Sequence, residues 1–405
     1  MSVNILMSHV GNSYNYGTAM MAINLMSQIY KINTKVKFFL DVKDSQSMDR
    51  YLESTDLKNI YPMEETMESI YSTKVYNLFA LKKQIGLYKN SIIKKYDAII
   101  VLGGDDLSHC YGTGALLKEL FILESLSKDI KILLVGQTIG PFNKVFEKIS
   151  REKLKGTHIF TRDRLSFAYL KRIGFTNVEE SRDLALLDLP KENNELLVID
   201  RYGLKQGEYI TVVPSGLVSS YCKDYDIYVE NIYKMIQQLL SYKRLKQKRV
   251  VLLPHVLLPA HVDDRKIIKF LEESLSVDMK RRVLFIYDEL LPHEAREILG
   301  NGVLTITGRM HAAVSTFMLR KPAISLSYSY KYDGVIGEGL NLTRLIIDAA
   351  SEQKWMSRQI VKDVMAKVEF ILNNYDSLVE TIDKNIKDCS DMVLEDIYKV
   401  NKILT

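Results

Sequence analysis

The sequence contains few cysteines: Cys110, Cys222 and Cys389 are the three in 405 residues. They are scattered along the chain without a CxxC pair, which argues against a structural zinc site and against a disulfide framework. Such cysteine usage favours a reducing compartment. The first ten residues also lack the basic flank and the long apolar run of a signal peptide, so we expect a cytoplasmic protein.

Long hydrophobic runs are absent as well. The longest mostly apolar stretch, residues 250–262, is interrupted by Pro254 and Pro259 and is too short to span a bilayer. The formal net charge of +5 is too small to indicate a nucleic-acid partner. It suits anionic small molecules, or a loose peripheral contact with the anionic inner leaflet of a membrane.

The chain does contain a series of apolar runs rich in Val, Ile and Leu that alternate with helical stretches. The candidate strands are residues 4–8, 36–40, 98–102, 132–136, 158–162, 209–213, 250–253, 283–287, 303–307 and 323–326. Continuous apolar runs are typical of parallel strands that are buried on both faces. The pattern therefore predicts an α/β fold with two doubly wound, Rossmann-like domains.

The domain boundaries follow from composition. The polar stretch 190–195 predicts a break between an N-terminal domain, residues 1–190, and a C-terminal domain, residues 196–345. Residues 346–405 form a largely helical tail, which by analogy with two-domain transferases packs back on the first domain. We interpret the charged region 48–88 as helical.

Ligands of open parallel sheets bind beyond the carboxyl ends of the strands, so the loops at those ends carry the candidate site residues. Residues 9–19 combine two glycines with small polar residues at a helix start, which suits either an anion or sugar site or a capping loop. Gly103 and Gly104 would let a ligand approach the backbone closely. Asp105 or Asp106 could then accept a proton from a sugar hydroxyl, or either could cap a helix.

Two further loops carry basic side chains. Arg162 ends a strand and is followed by Asp163 and Ser166, which is typical of a helix cap and equally of a fork for a carboxylate or phosphate. His255 follows Pro254 at another strand end. It could act as a general acid or bind phosphate, although a lone histidine is more often a satisfied polar group.

Arg309 and His311 form the most informative pattern. They are two residues apart, directly after the strand at 303–307 and before a helical stretch. In an extended segment this spacing puts both side chains on one side. A forked cation, an imidazole and a helix N-terminus would then converge on one anion, which favours a functional role.

In their order and spacing these segments resemble the polysaccharide pyruvyl transferase family, over about residues 3–334. The matching elements are Asn15-Tyr16-Gly17, Gly103-Gly104-Asp105, Ile139-Gly140-Pro141-Phe142, Arg162-Asp163 with Ser166, Arg182-Asp183, and Arg309-x-His311. The first loop departs from a common form of the family, because Thr18 follows the glycine in place of an acid.

The resemblance implies a GT-B-like fold, in which two Rossmann-like domains face a cleft that contains the active site. It implies phosphoenolpyruvate as the donor, a sugar of a surface polysaccharide or of its lipid-linked precursor as the acceptor, and a pyruvate ketal as the product. By position, Arg309 and His311 would bind the donor, with Arg162 as a further donor-binding candidate.

The chemistry of ketal formation needs an acid for carbon and a base for oxygen. We assign the acid to His311 and the base to Asp105, with His255 as an additional donor-binding group. The candidates for the acceptor side are Asn15, Tyr16, Gly17, Gly104 and Asp105. We expect no metal and no cofactor besides the donor substrate, because no His, Asp or Glu cluster has convincing ligand spacing; residues 261–264 come nearest and are interpreted as a helix start.

Two alternatives remain open. A nucleotide-sugar glycosyltransferase of the same architecture would need an acid for ribose hydroxyls, which Asp288 or Glu289 could supply. A non-catalytic sugar-binding protein would leave Arg309 and His311 beside a helix start unexplained. Tyrosines at positions 328, 330 and 332 could stack on a sugar or could lie on an exposed strand edge.

Overall fold

The computed structural model describes residues 2–65, 70, 72–74, 77–109, 112–192 and 196–404. The described residues fall into two compact units. The first comprises Met1–Ser13, Met21–Leu184 and Ser390–Thr405, and the second comprises Tyr14–Met20 and Ala185–Cys389. The predicted break at 190–195 lies partly outside the described residues, and the predicted domain boundaries stay a prediction.

The first unit is built on a seven-stranded parallel sheet in the order β3-β2-β1-β4-β5-β6-β7. Its strands are β1 Val3–Ser8, β2 Val36–Leu40, β3 Ile60–Pro62, β4 Ala98–Leu102, β5 Lys131–Gln137, β6 His158–Thr161 and β7 Val178–Glu180. Every residue of β4 is buried, as expected for a strand covered by helices on both faces.

The second unit is built on a six-stranded parallel sheet in the order β10-β9-β8-β11-β12-β13. Its strands are β8 Tyr209–Val213, β9 Arg249–Leu252, β10 Val283–Phe285, β11 Thr305–Thr307, β12 Ala323–Ser327 and β13 Ile346–Asp348. The two parallel sheets with alternating helices confirm the predicted α/β, Rossmann-like fold class.

Helices connect successive strands in both units. They are α1 Tyr16–Ile32, α2 Ser45–Ser54, α3 Leu78–Ile92, α4 Thr113–Leu126, α5 Lys144–Lys153, α6 Arg164–Arg172, α7 Leu197–Arg201, α8 Tyr225–Ser241, α9 Arg265–Ser274, α10 Val277–Lys280, α11 Pro292–Asn301, α12 Met310–Met318, α13 Glu352–Met356, α14 Gln359–Asn373 and α15 Tyr375–Leu404. Side-chain caps fix several starts: Asp44, Asn143, Asp163 and Asp224 each accept a hydrogen bond from a first-turn amide.

The region 48–88 is less helical than the sequence predicts. The structure places the short strand β3 there, between α2 and α3, and some of its residues lie outside the described part of the chain. The helical tail is confirmed from α13 onwards, but β13 precedes it and was not predicted. β3 and β13 each have three residues and include Pro62 and Asp348, so neither lies within a continuous apolar run.

Candidate functional site

Three loops of the second unit meet at the carboxyl edge of its sheet. Gly216 follows β8, His255 follows β9 and Arg309 follows β11, and these strands are neighbours in the order β9-β8-β11. Because the strands are parallel, their carboxyl ends lie at the same edge. The structure thus brings together two of the residues predicted to bind a donor.

A buried carboxylate, that of Asp264, joins the three loops. Its Oδ1 accepts hydrogen bonds from the backbone N–H of Gly216 at 2.7 Å and from Nη2 of Arg309 at 2.7 Å. Its Oδ2 accepts from the backbone N–H groups of His255 at 3.0 Å and Val256 at 2.9 Å. Hydrogen bonds to a buried charge are among the stronger ones in proteins, so Asp264 fixes the geometry of this edge.

Arg309 is buried and bound on one side of its guanidinium group. Nε lies 3.1 Å from Oδ1 of Asp264, and Nη2 also donates to the carbonyl of Val262 at 2.8 Å. Nη1 makes no hydrogen bond within the described part of the chain. Burial opposes the charge, but the adjacent Asp264 carboxylate raises the pKa of Arg309 above its ordinary value, so the side chain stays cationic.

His311 lies in the first turn of α12, which begins at Met310 with Arg309 as its extended N-cap residue. The extended spacing assumed from sequence is therefore wrong at this point, because the helix starts one residue before His311. The predicted helix N-terminus is present, with its partial positive charge. A Cβ atom on Gly17 would lie 2.2 Å from Nδ1 of His311, so this position has no room for a side chain.

The segment Tyr14–Met20, which contains the start of α1, belongs to the same unit as these residues. Asn15 forms an antiparallel bridge with Val256, and the N–H of Tyr16 donates to the carbonyl of His255 at 3.2 Å. The ring of Tyr16 contacts the imidazole of His255 edge-on, with 5.4 Å between the ring centroids. The structure thus places Asn15, Tyr16 and Gly17, predicted for the acceptor side, beside two residues predicted to bind the donor.

His255 is fully buried, and its Nε2 has no hydrogen-bond partner among the residues that the structure describes. Burial is the largest cause that lowers its pKa well below the ordinary value for histidine, and the charges of His311, Arg309 and Arg296 lower it further. The side chain is therefore neutral at physiological pH. An unpartnered buried nitrogen close to three basic groups is typical of a place where an anion binds.

The glycine pair of the first unit lies at the carboxyl end of β4. A Cβ on Gly103 would lie 1.6 Å from the carbonyl oxygen of Gly136, and one on Gly104 would lie 2.5 Å from Oδ2 of Asp106. The carbonyl of Asp105 accepts a hydrogen bond from Ser108, as in a turn. The glycines therefore allow close packing inside the protein, which fits the turn interpretation.

His9 lies beside Asp106 in the first unit. Its Nδ1 is 3.7 Å from Asp106 Oδ2, and its Nε2 is 3.6 Å from Glu119 Oε1. Its backbone N–H donates to Asp41 at 2.7 Å, and its φ is 65°. Burial opposes protonation, but Asp106 and Glu119 raise the pKa of His9 well above its ordinary value.

Arg162 is buried in the first unit, and its contacts are internal. Nε donates to Thr138 Oγ1 at 2.7 Å, and Nη1 lies 3.5 Å from Asp183. Asp163 accepts hydrogen bonds from the N–H of Ser166 at 2.7 Å and from the Thr138 hydroxyl at 2.8 Å. This is the capping arrangement that the sequence offered as one of two interpretations.

The tyrosines after β12 and the acids Asp288 and Glu289 have different surroundings from those expected. Tyr332 is buried and donates to the carbonyl of Gly308 at 2.6 Å, so the interpretation as an exposed strand edge is wrong there. Strand β12 ends at Ser327, and the chain enters a π-helical turn, Asp333–Gly339. Asp288 accepts a hydrogen bond from Tyr202, and Glu289 lies 3.1 Å from Arg265.

Sequence reasoning gave no role to the side chains of Asp264, His9 and Glu119. Asp264 precedes α9 and was interpreted correctly as part of a helix start, but its side chain does not cap that helix. Its partners are 45 residues away at Arg309 and 48 residues away at Gly216, and one sequence carries no signal for such contacts. Glu119 lies within α4, where a glutamate is ordinary.

Among the described residues, no group of three or more His, Cys, Asp or Glu side chains is placed to bind a metal ion. No helix in the same residues combines the length and the apolar character needed to cross a membrane.

Comparison with solved structures shows the fold. A UDP-GlcNAc 2-epimerase from Neisseria meningitidis, bound to UDP-GlcNAc, is similar with a TM-score of 0.63, 13% identity, and coverage of 99% of this chain and 100% of that chain. MnaA from S. aureus, in a structure with UDP, has a TM-score of 0.59, 14% identity, and coverage of 94% and 91%. At such identities the likeness carries the GT-B-like fold alone.

Comparison of sequences shows the family. The amylovoran biosynthesis protein AmsJ from Erwinia amylovora is 23% identical over 380 residues, which are 87% of this chain and 82% of AmsJ. The model of the family described as polysaccharide pyruvyl transferase matches residues 15–330, from the loop before α1 to beyond β12. The predicted resemblance is thereby confirmed, and the chain belongs to the polysaccharide pyruvyl transferase family.

Proposed function

We propose that the protein transfers the pyruvyl group of phosphoenolpyruvate to a sugar of a surface polysaccharide or of its lipid-linked precursor, forming a ketal and releasing phosphate. Family membership over residues 15–330 supports a pyruvyl transferase, and the relative AmsJ is a protein of amylovoran biosynthesis. The reaction belongs to cytoplasmic polysaccharide assembly, with a peripheral contact at the inner membrane where the acceptor is lipid-linked.

The observation that carries the proposal is the unpartnered Nε2 of His255 among basic groups. His311, Arg309 and Arg296 all act electrostatically on His255 and disfavour its protonation. A donor with a carboxylate and a phosphate would offset the positive charge around His255 and give Nε2 a partner. Phosphoenolpyruvate has both groups on a small carbon frame.

Each residue then has a distinct role. Asp264 fixes Arg309 so that Nη1 is the nitrogen offered to the donor, while the N-terminus of α12 supplies partial positive charge beside His311. Gly17 lies against His311 and restricts the orientations of its imidazole. We therefore extend the donor site to the segment Asn15-Tyr16-Gly17.

The chemistry balances with one acid and one base. A proton is added to the methylene carbon of phosphoenolpyruvate, and the first sugar oxygen bonds to the adjacent carbon as its own proton leaves to a base. The second sugar oxygen bonds to the same carbon, the bond to the phosphate oxygen breaks, and phosphate departs with the second hydroxyl proton. We assign the carbon acid to His311 and the base to Asp105.

The reaction needs no metal or further cofactor, since the leaving phosphate is already activated as an enol ester. The acceptor-side residues are Gly104 and Asp105 at the carboxyl end of β4. Arg162 stays a donor candidate with a weaker case, because Thr138 and Asp183 already occupy its guanidinium group.

A thermal-shift titration tests this proposal. Phosphoenolpyruvate at 100 times its dissociation constant should stabilise the protein by about 2.7 kcal/mol, whereas UDP should have no effect. Stabilisation by UDP alone would favour the alternative, a nucleotide-sugar glycosyltransferase. That alternative shares the fold of the UDP-bound neighbours, but its candidate acids Asp288 and Glu289 already contact Tyr202 and Arg265.

The variant Arg309→Lys tests the role of Arg309 in the proposed reaction. It retains the positive charge but loses the planar arrangement of nitrogens that contacts Asp264 and the donor together. We expect turnover to collapse while the fold survives. Near-normal turnover of this variant would refute the role of Arg309.

A further inference from the structure

Helix α3, Leu78–Ile92, has two faces of different character. The inward face carries Leu81, Ile85, Tyr88 and Ile92, which are buried in the hydrophobic core of the first unit. The opposite face carries Phe79, which is 83% exposed, among other side chains. The core therefore does not explain the apolar residues on the outward face.

The outward face mixes apolar and basic side chains. Phe79 and Leu87 are 83% and 58% exposed, and Lys82 and Lys83 between them are exposed as well. At about 100° per residue these four positions lie on one side of the helix, and Phe79 and Leu87 are about 12 Å apart along its axis. We call these four residues, with Lys94 just beyond the helix, the α3 face.

All charged side chains of the α3 face are positive. Residues 77–96 contain no aspartate and no glutamate. Lys89 and Lys95 of this segment pair with acidic residues elsewhere in the first unit. Lys82, Lys83 and Lys94 make no ion pair within the part of the chain that the structure describes, so their charges are available to an anionic partner.

We propose that the α3 face docks on an anionic lipid surface. Exposed aromatic and aliphatic side chains interspersed with unpaired lysines are the composition of interfacial helices, whose apolar groups enter the headgroup region while the lysines contact lipid phosphates. The long lysine stems can lie along the apolar groups and extend their charges outward. A second copy of the same face would oppose lysine to lysine, so charge complementarity selects a lipid surface over self-association.

Flotation with vesicles tests the docking surface, using the full chain. The protein should float with vesicles of phosphatidylglycerol and phosphatidylcholine and stay behind with phosphatidylcholine alone. Binding should fall as salt rises, since exposed charges are screened beyond roughly 10 Å at 0.1 M. Equal binding to both vesicle types, or binding to neither, would overturn the proposal.

Two pairs of variants locate the surface. Phe79→Ser should weaken binding about tenfold, because the free energy gained by moving one aromatic side chain out of water is lost. The control Val277→Ser changes a side chain that is 69% exposed on α10, and it should bind like the wild type. Lys82→Glu with Lys83→Glu should weaken binding about tenfold or more, whereas Lys243→Glu with Lys246→Glu should have little effect.

Equal losses in test and control variants would overturn the assignment to α3. A dimer in light scattering that becomes a monomer in Phe79→Ser would also overturn it, because the α3 face would then bind a second copy. The proposal does not depend on the pyruvyl transfer reaction. Phe79→Ser should retain full turnover with a water-soluble acceptor, so failure of membrane docking and failure of the proposed function give different results.

Discussion

Replacement of Asp264 by asparagine tests the geometry of the proposed donor site. The variant Asp264→Asn retains the shape of the side chain but loses its charge and replaces one acceptor oxygen with a donor. Arg309 is then a buried cation without a counter-charge, and at least one of the backbone N–H groups now bound to Asp264 loses its acceptor. Removal of one partner of a buried ion pair costs about 3–5 kcal/mol.

Fluorescence of Trp355 reports the loss of unfolding free energy in the second unit, where Asp264 lies. Trp355 is the one tryptophan of the chain, and it is buried within the second unit, which contains Asp264. With a slope of about 2 kcal/mol per molar urea, the unfolding midpoint should fall by about 2 M. The loops after β8, β9 and β11 would also lose their common acceptor, so stabilisation by phosphoenolpyruvate should disappear.

The matched control is the neighbouring variant Asp263→Asn. Asp263 pairs with Arg265 at 2.8 Å, but Arg265 also contacts Glu289, and the site is partly exposed. The control should cost about 1 kcal/mol or less. If Asp264→Asn is as stable as this control and still binds phosphoenolpyruvate, Asp264 does not organise the site.

Five further variants, one of them a control, test separate parts of the account. Gly17→Ala should abolish stabilisation by phosphoenolpyruvate, because its Cβ would displace His311, whereas Gly86→Ala has nothing within 4 Å and should gain about 0.5–1 kcal/mol in unfolding free energy. His311→Gln should bind the donor in calorimetry yet turn over poorly; full turnover would make the histidine a ligand and not the acid. The pKa of His255 is lowered by folding, so the unfolded state takes up the proton first, and wild-type stability should fall as pH drops below about 6.5. His255→Asn should lose this acid sensitivity in urea unfolding followed by Trp355, and an unchanged slope would contradict a buried neutral imidazole. The pKa of His9 is raised by folding, so its contribution is fully present below about pH 6.5 and is lost as pH rises through its folded value. His9→Asn should therefore be destabilised at low pH and approach the wild type at high pH in unfolding monitored by circular dichroism, and a constant difference would argue against charge as the cause.

The sequence was sufficient to predict most of the parallel strands. β2, β4 and β8 have the same bounds in the prediction and in the structure. Every residue of β4 and β8 is buried, and a strand buried on both faces needs a continuous apolar run. The strands β3 and β13 were missed because they include Pro62 and Asp348 and do not lie within longer apolar runs, whereas the equally short β10 and β11 do.

Only the local part of the candidate site could be predicted from the sequence. The pattern Arg309-x-His311 beside a predicted helix start indicated a functional site, and a helix does start there, at Met310. The contact of Gly17 with His311 and the bonds from Asp264 to Gly216 and Arg309 are long-range contacts. Such contacts form only in the folded chain, where parallel strands that are distant in sequence end at the same edge of the sheet. The sequence alone therefore did not reveal them.

The most direct test of the central claim is mass spectrometry of candidate lipid-linked oligosaccharides after incubation with the protein and phosphoenolpyruvate. The account predicts a product heavier than the acceptor by pyruvic acid less one water, with an equal amount of phosphate released, and neither in the Arg309→Lys variant. Transfer of a sugar from a nucleotide sugar to the same acceptors, with phosphoenolpyruvate untouched, would contradict it.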